Sequence, residues 1–299
     1  MTTDLVRAAT AFDPQPRDDA PPSRQTLPLD APIDCRLRSD PGQRYALYVP
    51  ATARARGAMA PLMVAVHGIS RNAGAHMRAF APAARRAGCV LLVPRFSRSR
   101  FPDYQRFGRP HRLGEGGRAD HALLNIVAEV RDLLSLAPTP LHLVGHSGGA
   151  QFVQRFVLAY PTLVNRYVLS AAGCYAWPET GRGFPFGLRR SKRFPDVCPD
   201  PCGMLARPCL VLVGDLDDRR SPSLRSGRRV DAQQGGSRLE RARRYVAAIA
   251  EFARRLGAPP PLRLVEMPGC GHAFSQCVQR GDLVGHTLAH LFDEACPGV

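Results

Sequence analysis

The chain reads as an α/β protein built on a mostly parallel central sheet flanked by helices, and three observations carry that reading. Its 299 residues, 44% of them hydrophobic, suffice for one large core. Short β-branched and leucine-rich runs alternate with amphipathic stretches, the rhythm of strand, crossover helix and next strand. One such run passes through Gly145-His146-Ser147-Gly148-Gly149 straight into a helical pattern, so a serine stands at a strand-to-helix turn.

Residues 1–40 are rich in Pro, Asp and Arg and carry no hydrophobic period, which predicts a loosely ordered extension ahead of a domain spanning 41–299. Strands are expected at 44–49, 62–66, 89–93, 141–144, 166–170, 209–213 and 262–267. Leu123, Ile126, Val127, Val130, Leu133 and Leu134 recur at helical spacing, as do Phe152, Val153, Phe156 and Val157. Further helices are expected at 237–256, with Leu239, Tyr245, Ile249 and Phe252 inward, and at 282–292. Residues 174–206 break this rhythm with five prolines and read as a short inserted cap. Its Trp177, Phe184, Phe186 and Phe194 would either wall a pocket or pack within the cap.

Composition narrows the function classes. No apolar run nears the roughly 20 residues of a membrane helix, so a soluble chain without a membrane span is expected. The N-terminal stretch has no apolar h-region, which points to the cytoplasm or to a processed chain. The net charge of +16 resembles a nucleic-acid footprint, yet Lys192 is the single lysine among 41 basic residues and the arginines are spread along the chain. That dispersal argues against nucleic acid as a partner. Nine cysteines in a chain of this size argue against an obligate disulfide framework, although Cys198 with Cys202, and Cys270 with Cys277, are close enough in sequence to pair in an oxidising compartment.

Three strand ends carry chemistry. Ser147, lifted above the sheet at a helix N-terminus, is a candidate nucleophile, and the Gly148 N–H is free to face a developing oxyanion. The run 209–213 leads into Gly214-Asp215-Leu216-Asp217-Asp218, where one of three aspartates could orient a histidine. His272 follows the last strand in Gly271-His272-Ala273-Phe274 and is the candidate base. After the 62–66 strand comes His67-Gly68-Ile69-Ser70, whose Ile69 N–H, or less favourably that of Ser70, would complete an oxyanion hole. His67 is read as bracing this loop, and no cluster at metal spacing appears, so no metal or cofactor is expected.

Together, Leu62-Met63-Val64-Ala65-Val66-His67-Gly68, Gly145-His146-Ser147-Gly148-Gly149, Gly214-Asp215-Leu216-Asp217 and Gly271-His272-Ala273-Phe274 resemble the α/β-hydrolase family over roughly residues 44 to 295. Within it the chain is similar to bacterial carboxylesterases of the polyhydroxyalkanoate-depolymerase and feruloyl-esterase type. The resemblance implies the α/β-hydrolase fold with a short cap and a small-molecule ester substrate. It makes Ser147 the nucleophile, His272 the base and Asp217 the acid, with Asp215 and Asp218 as alternatives. Thioesterase or amidase activity would use the same residues, and a catalytically silent scaffold binding a ligand or partner is the competing class.

One loop bears on substrate charge. Arg95, Arg98, Arg100, Arg106, Arg109 and Arg112 follow the 89–93 strand, interleaved with Phe96, Phe101, Tyr104 and Phe107. Two or more of these arginines facing the cleft would favour esters carrying a carboxylate; otherwise they solvate a long loop.

Overall fold

The structure, a computed structural model, describes residues 27–108 and 117–292. The chain runs β1 (Ile33–Leu37), β2 (Asp40–Tyr48), α1 (Ala51–Ala55), β3 (Leu62–Val66), α2 (Ala73–Ala87), β4 (Val90–Arg95), α3 (Ala119–Leu134), β5 (Leu141–His146), α4 (Gly148–Ala159) and β6 (Val164–Ser170). It continues through α5 (Pro201–Leu205), β7 (Cys209–Gly214), α6 (Arg228–Gln234), α7 (Arg238–Arg255), β8 (Leu262–Met267), α8 (Phe274–Gln279) and α9 (Leu283–Phe292). The eight strands form one sheet in the order β1-β2-β4-β3-β5-β6-β7-β8. β2 is antiparallel to β1 and β4, and the strands β4-β3-β5-β6-β7-β8 are parallel to one another.

The central strands are apolar on both faces because both are covered by helices. Val64, Val66, Leu143, Leu169 and Val211 pack on the side of α3, α4 and α7, whereas Met63, Ala65, Val144, Val168 and Leu210 pack on the side of α2 and α9. All six apolar positions expected on the helix 123–134 are buried in α3.

β1 and α2 depart from the expectation in ways that have a physical reason. β1 lies inside the span 1–40 read as a loose extension: Cys35 and Leu37 alternate inward against β2, so the sheet begins at Ile33. A five-residue strand beside an acidic, proline-rich tract shows too little period to register. α2 carries no strong helical period for a similar reason. Its inward face relies on Ala73, Ala83 and Ala84 beside Met77 and Phe80, and Pro82 interrupts it, while Asn72 caps it by accepting the Ala75 N–H at 2.9 Å.

Residues 171–200, between β6 and β7, are irregular apart from two isolated bridges. The eight described cysteines are free thiols, including both pairs singled out by spacing. No described helix is long and apolar enough to cross a membrane.

Candidate active site

Parallel strands deliver their following loops to one edge, and three of those loops meet there. Ser147 sits between β5 and α4 at φ 55°, a left-handed conformation that costs a non-glycine residue about 1–3 kcal/mol. Packing imposes it. A Cβ on Gly145 would lie 2.3 Å from the Gly149 carbonyl, and one on Gly149 would lie 2.0 Å from the Val66 oxygen, so helix and strand approach only where both positions lack side chains. The Ser147 N–H donates to the Ser170 carbonyl at 2.7 Å and ties the turn to β6.

β7 and β8 are neighbours, and their loops are stitched together. The Asp215 N–H donates to the Met267 carbonyl at 3.1 Å and the Leu216 N–H to the Cys270 carbonyl at 3.0 Å. His272 thereby lies between the other two groups. Its Nδ1–H donates to Asp217 Oδ2 at 2.9 Å, and its Nε2 accepts the Ser147 hydroxyl at 3.0 Å. The three aspartates are distinguished by their partners. Asp215 accepts the Cys270 N–H at 3.2 Å, and Asp218 is exposed beside Arg219 at 3.9 Å.

Across Ser147, the loop after β3 brings Ile69 close. A Cβ built on Gly148 would lie 3.3 Å from the Ile69 nitrogen and 2.9 Å from the Tyr104 hydroxyl. Neither the Ile69 nor the Gly148 N–H donates to another described group, so both donors stay available. The loop is held by His67, whose Nδ1–H donates to the Gly68 carbonyl at 2.9 Å and whose Nε2 accepts the Phe96 N–H at 3.2 Å. Burial pushes this imidazole down to about 4, so it is a neutral brace. Tyr104 reinforces it by donating to the His67 carbonyl at 2.5 Å.

Two supporting side chains escaped the sequence reading. Arg238, fully buried, places Nη1 at 3.2 Å from Asp217 Oδ1 and also donates to the Ser221 and Ser223 hydroxyls at 3.0 and 2.8 Å. An arginine in the first turn of a helix reads as surface until the loop that meets it is known. His146 donates from Nε2 to the His272 carbonyl at 3.1 Å, while its Nδ1 accepts the Ser170 hydroxyl at 3.0 Å. Burial first, then the neighbouring His272 and His76, holds it well below the ordinary histidine range.

The aromatic residues of the insertion are distributed differently from a pocket wall. Phe184 and Phe194 pack edge-on to each other and against Phe107, which itself packs on Phe152 of α4, so both belong to the core. Phe186 lies beneath the guanidinium of Arg225 at 4.4 Å. The arginine-dense loop also turns its charges elsewhere: Arg95 pairs with Asp34, Arg100 with Asp40 and Arg106 with Asp103. Arg109 and Arg112 lie outside the described residues.

The same architecture recurs among solved structures. A poly(3-hydroxybutyrate) depolymerase from Bordetella parapertussis superposes with a TM-score of 0.71 at 25% identity, over 90% of this chain and 91% of its own. The chain has the α/β-hydrolase fold. Poly(aspartic acid) hydrolase-1 from Sphingomonas sp. KT-1 matches with a TM-score of 0.70 at 23% identity, over 84% and 94% of the two chains. An S-formylglutathione hydrolase from Agrobacterium tumefaciens matches with a TM-score of 0.57 at 13% identity, over 87% and 94%. No family model and none of the curated proteins matches the chain. In α/β-hydrolase terms the serine, acid and histidine follow strands in that chain order, as the fold's nucleophile-elbow arrangement does.

Proposed function

We propose that this α/β-hydrolase is a serine hydrolase that cleaves carboxylic esters of small molecules through an acyl-enzyme. The observation that carries the reading is the continuous relay from Asp217 through His272 to Ser147, at 2.9 and 3.0 Å, beside two unengaged backbone donors. His272 takes the proton of Ser147 as its oxygen attacks the ester carbonyl, and Asp217 holds the imidazole in the tautomer that leaves Nε2 basic. The Ile69 and Gly148 N–H groups receive the oxyanion of the tetrahedral intermediate. His272 then returns the proton to the leaving alcohol, and water releases the acyl group by the same steps.

The experiment is active-site labelling with a fluorophosphonate, together with turnover of 4-nitrophenyl esters of graded chain length. Ser147→Ala is expected to abolish labelling and to lower kcat by about 10^3 or more while the fold persists. Folded wild-type protein that neither labels nor turns over any ester would establish a silent scaffold instead. The chain-length series, extended to thioesters and amides, identifies the preferred acyl derivative.

A further inference from the structure

Behind the loop that carries Ile69, a cavity of about 460 Å³ opens between the start of β2, the first turn of α2 and the end of β4. Arg44, Arg71, Arg78 and Arg95 line it, and no described carboxylate does. Their charges are poorly compensated. Asp34, outside the lining, serves both Arg95 and, at 3.7 Å, Arg44. Arg71 donates to the carbonyls of Phe96 and Phe101 and lies 5.0 Å over the Tyr104 ring, and its nearest counter-charge is Asp103, outside the lining. Arg78 makes no hydrogen bond or ion pair among the described residues, and the buried Nε of Arg95 has no acceptor. In the same wall the Gly74 N–H, in the first turn of α2, has no partner among the described residues, whereas Ala75 is satisfied by Asn72.

Like charges converging on a concave surface repel until a counter-charge enters, and guanidinium forks match the geometry of carboxylate and phosphate oxygens. We propose that this cavity is a binding site for an anionic group, a carboxylate or a phosphate, held by Arg78, Arg95 and the Gly74 N–H, with Arg44 at its mouth. The site is separate from the Ser147 relay and shares with it the loop from His67 to Arg71. Two sources of the anion are possible: a charged group carried by the ester itself, which rests on the hydrolase reading above, and a free anion.

Binding is tested on protein carrying Ser147→Ala, so that it is measured without turnover. Calorimetric titration with inorganic phosphate and with succinate at low ionic strength is compared across the parent, Arg78→Gln and Arg86→Gln. Arg86 is exposed in the last turn of the same helix and makes no contact with the cavity. Arg78→Gln is expected to weaken binding about tenfold, Arg86→Gln to leave it unchanged, and added salt to weaken it further. Equal affinities for all three proteins, or equal losses from the two substitutions, would overturn the site as general attraction to a basic chain. With Ser147 restored, 4-nitrophenyl hemiesters of dicarboxylic acids are compared with their methyl-capped analogues. A preference for the anionic ester that Arg78→Gln removes through KM makes the ligand substrate-borne. Specific phosphate or succinate binding without that preference makes the site one for a free anion, and supports the proposal equally.

Discussion

Asp217 lies among three aspartates in four residues, and what separates it is not its own chemistry but what its oxygens meet. Asp217→Asn is expected to lower kcat by about 10^3 to 10^4, because an amide in place of the carboxylate disfavours the tautomer that leaves Nε2 free to accept the Ser147 proton. Asp215→Asn, which removes charge from an acceptor of the Cys270 N–H, and Asp218→Asn, at an exposed position, are expected to change kcat less than tenfold. Steady-state kinetics on the three variants decide, and equal losses would reject Asp217 as the orienting acid. Arg238 supplies a second test. Arg238→Met removes one partner of a buried ion pair and should cost about 3 kcal/mol, read as a lower urea midpoint. Because Asp217 loses a positional restraint, activity should fall through kcat rather than KM. Of this constellation, Ser147, His272 and the group of three aspartates could be read from strand ends. Arg238 and His146 could not, since each is defined by a contact across the fold.

At the scale of single elements, α7 links a helix cap to the candidate site. Ser237 accepts the Glu240 N–H at 3.1 Å, and Glu240 reaches back to the Gly236 N–H at 2.7 Å, so the first turn that carries Arg238 is pinned from both directions. Ser237→Ala should cost about 1 kcal/mol in a urea melt and lower kcat several-fold. A stability loss with full activity would show that Arg238 does not depend on this cap. Helices with a strong hydrophobic period, such as α3 and α4, are legible in the sequence, whereas α2, whose buried face is largely alanine, is not. Alanine contributes little to a hydrophobic period, and only the covering of Met63, Leu91 and Val93 reveals that the face is buried.

Over the whole molecule, buried imidazoles set a pH dependence. Burial pushes His67, His142 and His290 down to about 4 and His76 down to about 3. Above about pH 7.5 these groups are neutral both folded and unfolded and contribute no pH dependence. Between about pH 6.5 and 4 the unfolded chain binds protons that the folded chain refuses, so stability falls as pH falls. At pH 5 each imidazole should cost about 2 kcal/mol relative to pH 7.5, and the sum should appear as a marked drop in the denaturation midpoint. A midpoint unchanged between these pH values would contradict neutral burial. The fall comes from protonation of the unfolded chain, in which these imidazoles are exposed to water.

The sequence by itself determined the class of fold, the order of the parallel strands along the chain and the three strand ends that bear Ser147, Asp217 and His272. Strand and turn signals are local, carried by apolar runs and by glycines that allow helix and strand to touch. The strand-end signal left three aspartates open; tertiary structure sets Asp217 against His272, while the Asp215 carboxylate accepts the Cys270 N–H from the loop of the neighbouring strand. It also decided where the arginines point. Arg95, Arg100 and Arg106 meet aspartates, two of them from β1 and β2, whereas Arg78 meets none among the described residues. Charge along a chain is additive and visible in any window of residues, but its compensation depends on which side chains the fold brings within a few ångströms.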